Sequence, residues 1–508
     1  MFMQESGKVA RDIKEIYILD ASAFGNSALA DLSELGYRHL YGIDLNQEVY
    51  NMPYYTRIKY SYGDMLNTHF PDNMLDFVYN VKGIRKASDL KRFIGESKRI
   101  LDNNGYLLLT ARSKKEAEEI INKVVAQKVK LFYTTEAKNL IGLCFKVTKS
   151  SSTKRVRELN IIAESLNQKE GVDTYVQSLK KILEKEGITT NLYKRYEEAD
   201  RSKDTIIEYV PAFGLDFPKG NYLIDVHQTV SKSRFWIEMK EIAKKIISNP
   251  RELVGIVRLI LSNLTYTMLI FKRAGKSDNE TEILQKHKLI VRSREIAESS
   301  KLKNYVIMPL AEYGKPMKRK EAPKELHLGA MGFARRSKNF DKICELAKRL
   351  GIKATLSISI SKADEATEKA TSYIANDLYK RYNSNKIKIL VGFQSDEKMK
   401  EIFAKCSHFI SAANDGMFQS GSIRYMMKFG RPVISTDNYQ AREAQSYRVK
   451  KLEEITVGYL RKTTEPVNLD DGFRYLIKIL HYDYPAEQFK EEKIKNLVNL
   501  LMEKCIIK

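Results

Sequence analysis

Cysteine is scarce in this chain. The four in 508 residues, Cys144, Cys344, Cys406 and Cys505, stand far apart with no CxxC pair, which excludes a disulfide framework and a zinc knuckle and fits a reducing compartment. Proline is scarce as well, at 11 residues, and no Pro/Gly/Ser or Gln/Asn run marks a disordered stretch, so the whole chain is expected to fold. The opening MFMQESGKVARDIKE holds no apolar core of the kind a signal peptide needs, which makes the cytoplasm the expected compartment. The closing CIIK imitates a prenylation box but ends in lysine, an atypical last position. Zinc fingers and RRM-type aromatic motifs are missing, and the basic residues are scattered along the chain rather than gathered in one tail. Nucleic acid is therefore not an expected partner.

What the chain has in excess is positive charge, +23 with 43% hydrophobic residues. Such a balance asks for an acidic partner: anionic lipid or a phosphate-bearing substrate. Length allows about three domains, and three βα series are readable. Between residues 14 and 110, EIYILD, SALADLSELGY, HLYGIDL, DFVYNV, DLKRFIGESKRIL and GYLLLTA alternate strand and helix patterns. A second series opens at VRELNIIAE, with the helix-patterned GVDTYVQSLKKILEKEGI after it, and a third at HLGAMGF. The polar joint KSSSTKR (149–155) and the lysine-rich GKPMKRKEAPKE (314–325) separate them. Expected domains are thus 1–150, 151–322 and 323–508, the last including the helix-patterned YPAEQFKEEKIKNLVNLLMEKCIIK.

The third series contains two places where anions would be held. In LGAMGFARRSKNFDKI, a strand, the turn residue Gly332, and the cations Arg335, Arg336 and Lys338 precede a helix. Backbone N–H groups and fixed positive charge converge at such a junction. In NDGMFQSGSIRYMMKFGRPVISTDN, the small residues Ser420, Gly421 and Ser422 fall where the first unpaired amides of a helix are expected, and that helix should stop at Gly430. A helix cap is the competing reading of the same serines. Between these two joints, residues 231–276 hold ten Lys or Arg against three Glu, and the run 252–271 is largely apolar, with Arg258, Ser262 and Thr265 on one helical stripe. Arg258 and the lysine flanks favour a buried or interfacial helix over a membrane span, the interfacial case implying peripheral contact with an anionic membrane face.

Over roughly residues 152 to 480 these motifs resemble family-4-like (group 1) glycosyltransferases of the GT-B fold. The glycine turn followed by lysine resembles Gly332 and Lys338, although Phe333 stands where the family has arginine and Arg335 or Arg336 would replace it. The family's paired glutamates are missing: the first position matches Asp415 and the second Arg424. In the preceding domain, Gly171 resembles the family's loop glycine near donor and acceptor, and NYLIDVHQTV resembles the strand ending in an acceptor-side histidine, here His227. The resemblance implies a hexosyltransferase-type enzyme. It would move a sugar from a nucleotide-diphosphate donor to a hydroxyl of a glycan, polysaccharide or lipid-linked acceptor, with retention and without a required metal. His227 and Asp415 would be catalytic, and Gly332, Arg335, Arg336, Lys338, Ser420, Gly421 and Ser422 would bind the diphosphate as it departs. In such two-Rossmann enzymes the final helix often crosses back over the first of their two domains, so its assignment stays open.

Residues 12 to 145 resemble class I S-adenosylmethionine methyltransferases. ILDASAFGNSALADLSELGYRHLYGIDLN matches their strand, glycine loop, helix and second strand, and YGD their adenine-contacting turn. The resemblance implies a cofactor site at Asp20, Gly25, Asp44 and Asp64, with Asp44 on the ribose hydroxyls. The stretch Ala21-Ser22-Ala23-Phe24-Gly25-Asn26 keeps only one glycine of the usual loop. The expected architecture is α/β, with a methyltransferase-like domain, active or degenerate, before a two-domain GT-B transferase. The alternatives are a bifunctional glycosyltransferase and S-adenosylmethionine-dependent methyltransferase in glycan biosynthesis, or a non-catalytic glycan-binding scaffold.

Overall fold

The computed structural model describes residues 12–23, 28–46, 58–81, 84, 86–137, 139–149, 158–164, 166, 171–185, 187–209, 222–227, 278–292, 294–309, 323, 325–361, 365–413, 421–444, 446–466, 472–480 and 489–506. The chain divides into two compact units, Met1–Val156 with Phe473–Lys508, and Arg157–Gly472. The basic, apolar segment 231–276 and the residues Gly25, Asp415 and Ser420 lie outside the described residues.

The first unit is built on a seven-stranded sheet. Its strands are β1 (Tyr17–Asp20), β2 (His39–Asp44), β3 (Ile58–Tyr62), β4 (Leu75–Asn80), β5 (Leu101–Ala111), β6 (Lys130–Ala137) and β7 (Leu140–Lys146), in the order β3-β2-β1-β4-β5-β7-β6. The first five run parallel, and β7 is antiparallel to both β5 and β6. Buried on both faces, β1 and β4 are buried at every position, which is why YILD and LDFVYN read as continuous runs rather than alternating ones. The edge strand β6 has no fully buried residue.

The partner of the final helix, open from the sequence, is this sheet. In Glu491–Ile506, Ile494, Leu497, Val498, Leu501 and Met502 recur at helical spacing, and all five join Ile16, Ile18, Tyr106, Leu108 and Cys144 in one core. Gly142 in β7 makes room for the helix, since a Cβ there would meet Met502 Sδ at 2.9 Å. The helix before it, Gly472–Ile479, is pinned by charge. Arg474 donates from Nε to the Met74 carbonyl at 3.2 Å, and Lys478 donates to Asp102 Oδ2 at 2.7 Å.

The second unit carries two all-parallel sheets. One contains β8 (Glu158–Ile162), β9 (Thr189–Tyr193), β10 (Asp204–Tyr209), β11 (Leu223–Val226), β12 (Lys288–Val291) and β13 (Tyr305–Ile307), in the order β13-β12-β11-β10-β8-β9. The other contains β14 (His327–Phe333), β15 (Lys353–Ser359), β16 (Ile387–Val391), β17 (His408–Ser411), β18 (Val433–Thr436) and β19 (Tyr447–Val449), in the order β16-β15-β14-β17-β18-β19. Each sheet reverses its winding once, at β8/β10 and at β14/β17, as the first sheet does at β1/β4. At such reversals, helices leave on opposite faces and open a crevice beyond the carboxyl ends of the two strands, where ligands of open α/β sheets bind. Among the described residues no helix is long and apolar enough to cross a membrane. Cys144, Cys344 and Cys406 are buried, and burial pushes each thiol above its ordinary value.

Candidate functional site

In the third sheet the crevice is formed by β14 and β17, paired at Leu328–His408 and Gly329–Phe409. Gly332, next to last in β14, has φ +146°, a conformation that disfavours any side chain. A Cβ on it would lie 3.2 Å from Ser422 Oγ and 4.0 Å from Lys338 Cε. The chain then passes through a short 3-10 turn, Arg336–Lys338, and through Asn339 in the left-handed region (φ 48°), before the helix Phe340–Leu350 starts. Asn339 holds this junction against the neighbouring strand by donating from Nδ2 to the Ala412 carbonyl at 2.7 Å. The helix Gly421–Met427 begins on the far side, and Gly430 (φ 62°) lies in the turn beyond its end.

Three of the residues expected at a diphosphate, Gly332, Lys338 and Ser422, are thus brought together, with Gly421 beside Ser422 at the helix start. Arg335 and Arg336 are exposed, and the Arg335 guanidinium lies 5.9 Å from the centre of the Phe333 ring. Arg424, at the position of the missing second glutamate, is 2% exposed. A small residue at a strand end, a cation and helix amides form a cradle into which a phosphate can approach the backbone.

In the second sheet, His227 follows β11 directly and is 8% exposed. Its ring nitrogen Nε2 is hydrogen-bonded to Oε2 of Glu208 in β10 and lies 3.9 Å from Asp225 Oδ2 in β11. Arg292, just after β12, donates from Nη2 to both oxygens of Asp225 at 2.6 Å and from Nη1 to the Met308 carbonyl at 3.0 Å. Tyr175 packs over the group from the helix Gly171–Lys185, edge-to-face with His227 at 5.3 Å and 5.8 Å from the Arg292 guanidinium. Burial first, and then the Asp225 charge, raise the Glu208 carboxyl above its ordinary value, with His227 and Arg292 opposing. Burial alone would lower the Arg292 guanidinium, but Asp225, Tyr175 and Glu208 more than offset it and leave it raised. Gly171, expected near donor and acceptor, is the first residue of that same helix.

Glu208, Asp225 and His227 each place a potential ligand atom within 4.8 Å of the others, the geometry of a metal trio. The donor set does not fit one well, because both oxygens of Asp225 are already taken by a guanidinium and a divalent ion would sit against that charge. Of this group, only His227 was reached from sequence. The signal for the rest was available: in TIIEY, LIDV and LIVR a charged residue interrupts the carboxyl end of an aliphatic strand, a costly placement unless partners are supplied.

In the first sheet, Asp20 closes β1 and is fully buried, its Oδ1 accepting the Ser22 amide at 2.9 Å. The loop after it is held to both neighbours of β1, through Ala21 N–H to the Tyr79 carbonyl (2.9 Å) and Ala23 N–H to the Ile43 carbonyl (3.2 Å). Asp44 closes β2 and caps the next turn, with Oδ1 accepting the Asn46 amide. Asp64 caps its own turn through the Leu66 amide, and Gly63 N–H to the Asp44 carbonyl at 2.8 Å ties the two turns together. Sequence reasoning missed Asn80, which closes β4 across the crevice from Asp20. It is 1% exposed, and among the described residues its Oδ1 has no hydrogen-bond partner.

The fold thus pairs a seven-stranded sheet with a reversed β7, of the methyltransferase-domain kind over the residues the family model matches, with two all-parallel Rossmann-like sheets. Residues 19–109 match the family model for the methyltransferase domain. No curated protein matches. Among solved structures, an S-adenosylmethionine-dependent methyltransferase from Methanosarcina mazei is 14% identical, over 27% of this chain and 94% of that one, with a TM-score of 0.23. AviGT4, a glycosyltransferase involved in avilamycin A biosynthesis, is 10% identical over 68% of this chain and 98% of its own, with a TM-score of 0.39. Anabaena HepE, in complex with UDP and glucose, is 9% identical over 68% and 99%, also at 0.39.

Proposed function

We propose that residues 157–472 transfer a sugar from a nucleotide-diphosphate donor to a hydroxyl acceptor on a glycan or a lipid-linked carrier, with retention of configuration. The observation that carries this reading is the convergence of Gly332, Lys338 and Ser422 at the β14/β17 crevice. Loss of a nucleoside diphosphate builds negative charge on the leaving oxygen, and the Lys338 side chain, the Ser422 hydroxyl and the amides at the start of the helix Gly421–Met427 would answer that charge. Such groups can neutralise the leaving group without a metal. Exposed Arg335 and Arg336 would close on the diphosphate from the solvent side, Ser420 would add to the phosphate contacts, and Asp415 would serve the transfer step as a catalytic residue. His227 would stand on the acceptor side in the second sheet, and the basic segment 231–276 would hold the chain at an anionic membrane face when the acceptor is lipid-linked.

Titrating the full chain with a panel of nucleotide-diphosphate sugars tests the reading directly. One or more donors should raise the melting temperature, and Lys338→Ala should weaken that donor at least tenfold. If no donor binds, or if the affinity is indifferent to Lys338→Ala, a non-catalytic glycan-binding scaffold replaces it.

A second reading, favoured by the family match over 19–109 and by buried Asp20 and Asn80 at the β1/β4 crevice, gives the first unit an S-adenosylmethionine site with Asp44 on the ribose hydroxyls. Binding of S-adenosylmethionine that Asp44→Ala weakens would make the chain bifunctional. No binding would leave the first unit a degenerate domain.

A further inference from the structure

Three successive backbone amides after β1 are already engaged within the protein. Ala21 N–H goes to the Tyr79 carbonyl at 2.9 Å, Ser22 N–H to Asp20 Oδ1 at 2.9 Å and Ala23 N–H to the Ile43 carbonyl at 3.2 Å. Recognition of a ligand at the β1/β4 crevice therefore falls to side chains. Two of them have hydrogen-bonding capacity to spare. Asn80, 1% exposed, donates from Nδ2 to the Met65 sulfur at 3.2 Å, a weak acceptor, and its Oδ1 has no partner among the described residues. The Ser22 hydroxyl is likewise buried without a partner among the described residues. Because Ala21 is bonded to the Tyr79 carbonyl, the next residue of each segment, Ser22 and Asn80, comes at the same end of the crevice. Buried carbonyl oxygens are ordinarily paired, and for stability alone an apolar side chain of the same size would serve better in place of Asn80.

Strand order says what can reach Asn80. In the row β2-β1-β4, Asp44 and Asn80 close strands two places apart, roughly 10 Å at the usual strand spacing. An adenosine whose ribose hydroxyls meet Asp44 has two ends, and its base is taken by the turn at Asp64. The 5′ substituent is left for the β1/β4 crevice. In S-adenosylmethionine that substituent is an amino acid, and its ammonium brings three donors to an unpaired carbonyl oxygen. We propose that Asn80 is a ligand-binding residue of the first unit, its Oδ1 accepting from the α-ammonium of an amino-acid tail carried on the 5′ carbon of an adenosine, with the Ser22 hydroxyl beside it on the same tail. The inference rests on the S-adenosylmethionine reading and adds to it a requirement for the tail, met by side chains rather than by loop amides.

Calorimetry on the full chain tests it with two ligands, S-adenosylhomocysteine, which keeps the tail, and methylthioadenosine, which lacks it. The wild type should bind S-adenosylhomocysteine at least tenfold more tightly, as a hydrogen bond to a charged group implies. Asn80→Leu should remove most of that difference by weakening S-adenosylhomocysteine tenfold or more, with methylthioadenosine little changed. Its melting temperature without ligand should equal or exceed that of the wild type, since no unpaired carbonyl is left; a purely structural asparagine would lower it. Asn80→Ser, polar but too short to reach the tail, should show the same selective loss, and Ser22→Ala a smaller one. Wild-type affinity for S-adenosylhomocysteine in both Asn80 variants would assign the amide to an ordered water, and equal losses for the two ligands would make Asn80 a support of the whole site. Either result overturns the proposal and leaves the S-adenosylmethionine reading standing, as does a wild type that binds both ligands equally. A wild type that binds neither ligand overturns both.

Discussion

The guanidinium of Arg474 lies 3.8 Å from the centre of the Tyr17 ring, so a residue near the end of the chain seals the first strand of the first sheet. The same side chain donates to the Met74 carbonyl and pairs with Asp76 at 3.4 Å, and Asp76 in turn accepts the Tyr17 amide at 2.9 Å. A desolvated guanidinium over an aromatic face, with its donors also engaged, is worth more than an exposed ion pair. The first unit is thus completed by a segment that reaches it only after the whole second unit has been made.

Deleting Phe473–Lys508 should consequently unfold the first unit. The final helix buries Ile494, Leu497, Val498, Leu501 and Met502 in its core. At about 1.5–3 kcal/mol for each buried aliphatic side chain, the loss is on the order of 10 kcal/mol, as large as the roughly 5–15 kcal/mol that holds a typical domain together. Residues 1–156 alone should give the hydrogen-exchange pattern of an unfolded chain, and adding the missing segment as a peptide should restore protection. A truncated form with an intact melting transition would refute this. Any measurement of S-adenosylmethionine binding accordingly needs the full chain.

Gly332→Ala tests the diphosphate cradle with a single carbon. The new Cβ would sit 3.2 Å from Ser422 Oγ at a backbone φ of +146°. Strain of about 1–3 kcal/mol is expected at such a position, relieved only by moving the strand end or the helix start that should hold the phosphates. Donor affinity, by calorimetry, should fall at least tenfold, while Ser422→Ala, which removes the hydroxyl without filling the space, should cost less. Equal donor affinities in Gly332→Ala and the wild type would separate this crevice from donor binding.

The three βα series and the strand-to-helix junctions that bring Gly332, Lys338 and Ser422 near one another were legible in the sequence, because a strand, a small residue and a cation ahead of a helix are local in the chain. Glu208, Asp225 and Arg292 were not assembled, since each comes from a different strand and their meeting depends on the order β12-β11-β10, which a strand pattern alone does not fix. The final helix was legible as a helix, but its partner was not: an apolar stripe states that something is covered and leaves open which sheet covers it. Asn80 gave no signal at all, as a polar residue ending a strand is ordinary until the neighbouring strand end is known to be Asp20.

Arg292→Met should be among the most damaging single substitutions in the second unit. It leaves Asp225 and Glu208 as two carboxylates, 1% and 3% exposed, without their cation, and breaking a buried pair in this way costs about 3–5 kcal/mol. Adding Asp225→Asn should return part of that loss, since the second substitution removes the charge that the first left unpaired. Glu208, already raised by burial, loses in Arg292→Met a charge that lowers it, so the folded state binds more protons and stability should rise as pH falls. Urea unfolding of both variants, at neutral and mildly acidic pH, checks the size and the sign together. A loss under about 1 kcal/mol would show that the guanidinium is dispensable.

His408 should give the third sheet a different response to acid. Its ring is 5% exposed. Nε2 donates to the carbonyls of Leu460 at 2.9 Å and Thr463 at 2.8 Å, tying β17 to the end of the helix Val457–Lys462. Burial lowers the ring below its ordinary value of 6.5; the two carbonyls offset part of that, and Arg431 adds to it. The unfolded chain therefore takes up the proton first as pH falls. The ring's contribution to stability is complete above the unfolded value and is lost as pH drops through the lower folded one. Unfolding of the full chain, followed by hydrogen exchange of β17 amides, should show this sheet losing protection as pH falls from about 7.5 to about 5. His408→Asn should be less stable at the upper pH and should lose less on acidification. If the wild type and His408→Asn lose equal protection over that interval, the acid response belongs to the carboxylates of the unit and His408 has no part in it.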